Sequence, residues 1–112
     1  MEALKDKDES IAQYGERLKN ALDTVEQTNI DYLVNEITKR LDGSSSIHLL
    51  GNGGSQANAH HIAGDYLKTF VLAGYNIKIN CLADNISYLT AAANDIDYSE
   101  IYSILVGKII IK

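Results

Sequence analysis

Residues 47–70 read IHLLGNGGSQANAHHIAGDYLKTF and decide the fold class. The short, mostly apolar run at 47–50 stops at Gly51, which is typical of a strand buried on both faces of a parallel sheet. After the loop GNGGS at 51–55, apolar residues recur at spacings of three and four, which predicts an amphipathic helix. The inward face of that helix is predicted to carry Ala59, Ile62, Ala63, Tyr66 and Phe70.

The next segment predicts a second strand. Residues 77–81 read IKINC, in which apolar residues alternate with Lys78 and Asn80 at a period of two. Strand, glycine loop, helix and strand form a βαβ unit, so the fold class is α/β, with neighbouring parallel strands at 47–50 and 77–81. Two further helices are predicted to begin near Asn85 or Ser87 and near Tyr98.

Two amphipathic helices are predicted upstream of this unit. Ser10 is a suitable N-cap for the first, and Gly43 is expected to stop the second. We expect the two helices to pack as an antiparallel pair. Their apolar faces are Ile11, Tyr14, Leu18, Leu22 and Val25 in the first, and Ile30, Leu33, Val34, Ile37 and Leu41 in the second.

Composition limits the classes of function. The 112 residues are 46% apolar and 22% charged, as in soluble globular proteins. A net charge of -5 without a Lys/Arg block argues against nucleic acid as a ligand. The single cysteine, Cys81, allows no intramolecular disulfide, so a reducing, cytoplasmic setting is expected. The first ten residues show no secretion signal, and no apolar stretch is long enough to span a membrane.

The loop at 51–55 connects the end of a predicted strand to the start of a predicted helix, which is the place where open α/β sheets bind ligands. Glycines let the backbone approach a ligand closely, and the first N–H groups of the helix are free to donate. Ser55 can cap the helix or offer its hydroxyl. A tight turn with an N-cap and no ligand is the other interpretation, and the loop alone leaves both open. The loop is neither GxGxxG nor a Walker loop.

His61 and Asp65 stand four residues apart and share one face of the predicted helix, away from its apolar side. Such a pair can hold a metal or transfer a proton. A solvated face with a weak ion pair is the alternative interpretation. His60 points elsewhere, His48 is expected to be a hydrogen-bonded core residue, and Cys81 is expected to act as a small hydrophobe.

Asn94 and Asp95 follow a small, apolar helical run. They are consistent with a helix end, because Asn tolerates a left-handed backbone and Asp can cap the next segment. Hydrogen bonds to the hydroxyls of a sugar are the alternative interpretation, and the residues alone favour the helix end.

Taken together, two runs resemble one family. Residues 47–70 resemble the GNGGS-x-x-x-A-x-H-x-A-x-[ED] signature of phosphoheptose isomerases, and residues 81–103, CLADNISYLTAAANDIDYSEIYS, resemble the second signature of that family. The resemblance implies an SIS-type, Rossmann-like parallel sheet flanked by helices. It also implies a cytoplasmic homotetramer that converts sedoheptulose 7-phosphate to a heptose 7-phosphate for surface polysaccharides.

The resemblance further implies roles for single residues. The residues matched to substrate binding are Asn52, Gly53, Gly54, Ser55, Asn94 and Asp95. His61 matches a zinc ligand. Asp65 matches the glutamate that ligates zinc and moves the proton, although it is one methylene shorter.

The same resemblance sets the expected organisation of the chain. We expect one partial SIS domain over 1–112, with N-terminal helices at 1–43, the start of the βαβ sheet at 44–106 and a divergent tail at 107–112. The family's Ser/Thr-rich phosphate loop, and the Gln and His that complete its zinc site, are expected to lie beyond this portion. A non-catalytic SIS relative that binds a phosphosugar or another protein stays open as an alternative function.

Overall fold

The structure is a computed structural model that describes residues 9–110. Residues 1–8 and 111–112 lie outside the described residues, and with them the start of the predicted 1–43 segment and the end of the predicted tail. The chain divides into two compact units, and the boundary falls between Asn35 and Glu36 in the sequence. The predicted division at 43/44 within one partial domain stays a prediction.

The two N-terminal helices form as predicted, at α1 (Ile11–Asp23) and α2 (Gln27–Thr38). Ser10 caps α1 in a full capping box, because its side chain accepts from the backbone N–H of Gln13 while the Gln13 side chain accepts from the backbone N–H of Ser10. Gly43 does not end α2, which stops five residues earlier. Gly43 instead has a φ of +77° and lies against the backbone carbonyl of Asn76, so it serves the connection to the first strand.

The predicted antiparallel pairing of α1 and α2 is wrong. The two helices do not pack side by side, and neither contains a buried residue. Apolar residues at helical spacing predict a helix and the face that it would cover, but they do not identify the surface that covers it. The exposed apolar side chains include Tyr14, Leu18, Leu22, Ile30 and Leu33.

The predicted parallel strands are confirmed. β1 (Ser46–Leu49) pairs in parallel with β2 (Lys78–Cys81), and the register places Ile47 opposite Ile79 and Leu49 opposite Cys81. Helix α3 (Gly54–Leu72) connects them, so the βαβ unit is present. Within residues 9–110 the sheet has these two strands alone.

The core of the second unit lies between α3 and the sheet. Small residues on α3, Ala59 and Ala63, let the helix approach β2 closely, and the partly buried Tyr66 and Phe70 extend the contact. Ile62 is predicted to face inward but is exposed, because at 3.6 residues per turn it lies at the edge of the face that Ala59 and Ala63 bury. The buried cluster consists of Ala59, Ala63, Ile77, Ile79, Cys81 and Ala83.

The remaining elements follow β2. Helix α4 (Ile86–Asp95) begins after its N-cap Asn85, whose side chain accepts from the backbone N–H of Tyr88. A 3-10 turn (Tyr98–Glu100) leads into α5 (Ile101–Leu105) and then a π-helical turn (Val106–Ile110). Both predicted helix starts are therefore confirmed. None of the helices in the described part of the chain has the length and apolar character needed to cross a bilayer.

Candidate functional site

The glycine loop lies at the carboxyl end of β1, and each of its glycines has a different structural environment. Gly51 is required by space, since a Cβ there would meet the backbone of Ser55 at 2.6 Å. Gly53 has a φ of +54°, a backbone conformation that other residues adopt at a cost. Gly54 has neither a positive φ nor any atom within 4 Å of an added Cβ. The fold therefore explains the first two glycines and does not explain Gly54.

The loop presents free backbone donors. The N–H groups of Ser55 and Gln56 bond to the carbonyl of Asn52, at 3.0 and 3.4 Å. The N–H groups of Gly53 and Gly54 have no hydrogen-bond partner among the described residues. Gly54 is the first residue of the 19-residue helix α3, so these donors lie at the positive end of its dipole. Such an arrangement favours an anionic or oxygen-rich ligand.

The two adjacent histidines of α3, His60 and His61, contact different carboxylates. His61 Nε2 lies 3.1 Å from Asp65 Oδ2, and Lys68 Nζ lies 3.7 Å from the other oxygen of the same carboxylate. The His61 and Asp65 side chains are 81% and 52% exposed, so the pair is open to solvent and to ligands. The predicted sharing of a helix face by His61 and Asp65 is confirmed.

His60 instead reaches Asp84, in the loop after β2, with 2.7 Å between Nδ1 and Oδ1. The sequence reasoning missed this pair. The two residues are 24 positions apart, and no short-range spacing joins them. The available signal was topological: the loop that follows β2 must lie near the start of α3, because α3 packs against β2.

A cleft of about 590 Å³ lies between the glycine loop, α3 and the loop that follows β2. It is lined by Gly53, His60, His61 and Asp84, together with Gln56 and Ile86 among others. Its size is in the range of sites that take small molecules. Asn52 lies exposed in the adjoining loop, and Gly54 and Ser55 are the exposed first two residues of α3.

Asn94 and Asp95 do not line this cleft. They lie exposed at the end of α4, where Asn94 Nδ2 donates to Asp95 Oδ1 at 2.8 Å. Their predicted contact with substrate stays a prediction. His48 differs from expectation, because its buried Nδ1 has no hydrogen-bond partner among the described residues.

A hydrogen bond from a side chain of α5 fixes the start of the glycine loop. The Tyr102 hydroxyl donates a hydrogen bond to the carbonyl of Gly51. Burial raises the pKa of Tyr102, and the nearby Tyr98 and Cys81 act in the same direction. A protonated Tyr102 therefore fixes the start of the loop at neutral pH.

The predicted metal pair does not complete a zinc site by itself. A catalytic zinc ion takes three protein ligands and a structural one takes four. His61 and Asp65 supply two, and no third donor groups with them among the described residues. One group of three possible metal ligands does occur in the described residues, and it consists of His60, Cys81 and Asp84.

The loop, the helix N-terminus and the His/Asp pair all fall in the part of the chain that matches known proteins. A phosphoheptose isomerase of Desulfovibrio desulfuricans is 33% identical over 92 residues, which is 82% of this chain and 44% of that protein. The chain is similar to phosphoheptose isomerases. One from Thermodesulfovibrio yellowstonii is 39% identical over 67 residues, covering 60% of this chain and 33% of that protein. One from Helicobacter pylori is 30% identical over 88 residues, covering 79% of this chain and 45% of that protein.

These similarities confirm the resemblance that the two sequence runs predicted. The chain spans about half or less of the length of the curated phosphoheptose isomerases that it matches. No family model matches the chain. No solved structure matches it significantly.

Proposed function

We propose that this chain supplies the glycine-loop part of a sugar-phosphate isomerase whose substrate is sedoheptulose 7-phosphate or a closely similar ketose phosphate. The observation that supports it is a cleft lined by Gly53, at the free N–H groups that start α3, and by His61 of the His61–Asp65 pair. Gly54, which the fold itself does not require, directly follows Gly53. The similarity to phosphoheptose isomerases supports a phosphorylated heptose as the substrate. The proposed setting is the cytoplasm, in an SIS-type homo-oligomer.

The backbone at 53–54 would position the substrate. Its two free N–H groups lie at a helix N-terminus, where the dipole favours the oxygens of a phosphorylated sugar. A side chain at Gly54 would occupy the space that the ligand needs. Ser55, Asn52 and, by resemblance, Asn94 and Asp95 would add hydrogen bonds to sugar hydroxyls.

Asp65 would carry the proton. An aldose–ketose isomerisation removes a proton from one carbon, passes through an enediol and returns the proton to the adjacent carbon, so one base serves both steps. His61 and Lys68 both contact the Asp65 carboxylate and hold its position on α3. Zinc, which the resemblance implies, would need donors beyond His61 and Asp65.

A chimera tests this proposal. Residues 1–105 would be joined to the C-terminal part of the Desulfovibrio desulfuricans relative, and conversion of sedoheptulose 7-phosphate would be measured. We expect turnover by the chimera and near-background conversion by the 112-residue chain alone, since that chain spans 44% of the length of this relative. Asp65→Asn in the chimera should abolish turnover, whereas Asp65→Glu should retain it.

Two results would contradict the proposal. Full activity of the Asp65→Asn chimera would remove Asp65 from the mechanism. A folded chimera that binds the sugar phosphate without turnover, and gains turnover only with Asp65→Glu, would assign the chain to the non-catalytic branch.

A further inference from the structure

We propose that His60, Cys81 and Asp84 form a zinc-binding site of this chain, separate from the His61–Asp65 pair. The three side chains come from three different elements: α3, the last residue of β2, and the loop between β2 and α4. One possible ligand atom from each lies within 4.8 Å of the other two. The inference rests on this geometry and not on the proposed isomerase function.

The fold holds the three donors in place. Cys81 is 2% exposed and belongs to the core cluster. The backbone N–H of Asp84 bonds to the carbonyl of Cys81 at 3.2 Å, and that of Leu82 bonds to the carbonyl of Leu49 at 2.8 Å, which ties the loop to the sheet. On α3, the buried Ala59 directly precedes His60 and anchors it against the same core.

The distances suit a tetrahedral ion after small shifts. Bonds of about 2.0–2.3 Å at tetrahedral angles place nitrogen and oxygen donors about 3.4 Å apart, and sulfur about 3.6 Å from nitrogen. His60 and Asp84 are now 2.7 Å apart and must open slightly to admit the ion. Cys81 Sγ, within 4.8 Å of both, must close by roughly an ångström at most. Both exposed side chains can make these shifts by small changes of rotamer.

The chemistry of the donors selects the metal. An imidazole nitrogen, a thiolate and a carboxylate are the ligands that zinc uses, and a thiolate disfavours magnesium and calcium. The charges of the thiolate and the carboxylate together balance a divalent cation, so a Cys81 thiolate at the edge of the core would not be left as an unpaired buried charge. Three protein ligands leave a fourth position free, as in catalytic zinc sites.

That fourth position would face the cleft. His60 and Asp84 both line the cavity that contains Gly53 and His61. A ligand bound there by the glycine loop could therefore reach an ion held by His60, Cys81 and Asp84. The alternative is that His60–Asp84 is an ordinary exposed ion pair and Cys81 a core side chain, with no metal affinity.

Cobalt titration distinguishes a metal site at His60, Cys81 and Asp84 from an ordinary ion pair without metal affinity. Cobalt(II) substitutes for zinc and gives a near-ultraviolet charge-transfer band when a thiolate ligates it. Because Cys81 is the single cysteine of the chain, that band reports this site alone. We expect the 112-residue chain to develop the band together with the visible bands of a tetrahedral ion, and zinc to displace both.

Matched variants test the ligand set. His60→Gln and Asp84→Asn should each weaken cobalt binding at least about tenfold, as the loss of a metal ligand requires. His61→Gln and Asp65→Asn make the same changes in the other His/Asp pair of α3, and should shift the affinity measured by the band less than twofold. All four side chains are exposed, so circular dichroism should show the same fold in every variant.

Two outcomes would overturn the proposal. One is the absence of a thiolate band at saturating cobalt. The other is a band that His61→Gln or Asp65→Asn removes while His60→Gln and Asp84→Asn leave it unchanged. Loss of isomerase activity in the chimera would not affect either measurement, so the two proposals fail separately.

Discussion

Replacing Gly54 with alanine separates a ligand-binding role from a folding role. Gly54 has no positive φ, and an added Cβ would meet no atom within 4 Å. Alanine at a compatible helical position stabilises a protein by about 0.4–1 kcal/mol, because it reduces the freedom of the unfolded chain. We therefore expect Gly54→Ala to raise the free energy of unfolding by up to about 1 kcal/mol, which corresponds to a rise in Tm of a few degrees.

The same substitution should weaken binding of the sugar phosphate. If the ligand oxygens approach the N–H groups at 53–54, the new methyl group occupies part of their space. We expect at least about a tenfold loss of affinity, or about 1.4 kcal/mol. Urea denaturation would measure stability, and NMR titration with sedoheptulose 7-phosphate would measure affinity.

Two other glycines serve as controls. Gly64→Ala adds a methyl group on α3 in open space, so it should raise stability without changing affinity. Gly53→Ala should lower stability by about 1–2 kcal/mol, because Gly53 has a φ of +54°. A Gly54→Ala protein that binds the sugar phosphate as tightly as the wild type would refute the assigned role of the loop.

Three further predictions follow from the structure. Tyr102→Phe removes the hydrogen bond to Gly51 and should cost about 1 kcal/mol in urea denaturation. Because folding raises the pKa of Tyr102, the contribution of its protonated hydroxyl to the free energy of unfolding should be complete below about pH 10 and should fall at higher pH. Tyr102→Phe should therefore make the alkaline decline in stability less steep. An unchanged decline would contradict this. Ser10→Ala should lower helicity in far-ultraviolet circular dichroism by fraying α1, without moving the main thermal transition, since α1 buries no residue. The chain should self-associate at micromolar concentration, because both strands have an unpaired edge within residues 9–110; a stable monomer in light scattering would count against this.

The βαβ unit was predictable because its signals are local. The run at 47–50 with its glycine stop, the helical spacing after it and the alternation at 77–81 each lie within a few residues. The observed strands, Ser46–Leu49 and Lys78–Cys81, differ from the predicted boundaries by one residue. Whether α1 packs against α2 was not predictable, because an amphipathic face does not specify which surface covers it.

The candidate site was predictable to the extent that it depends on one helix. The His61–Asp65 pair follows from its spacing of four residues, and the glycine loop from its place before α3. The His60–Asp84 contact and its approach to Cys81 depend on how α3 crosses β2, which single-residue patterns do not describe. From its place in an alternating strand, Cys81 is therefore predicted to be an ordinary core residue.

The most direct test of the account is an NMR titration of the 15N-labelled chain with sedoheptulose 7-phosphate. We predict that the amide signals of Gly53, Gly54 and Ser55 shift and saturate, and that sedoheptulose without phosphate shifts them less, because the helix N-terminus favours an anion. The claim that this loop binds a phosphorylated sugar would be contradicted if the amide signals at 51–56 did not shift at ligand concentrations well above those that saturate a site with a millimolar Kd. Shifts confined to other parts of the chain would also contradict it.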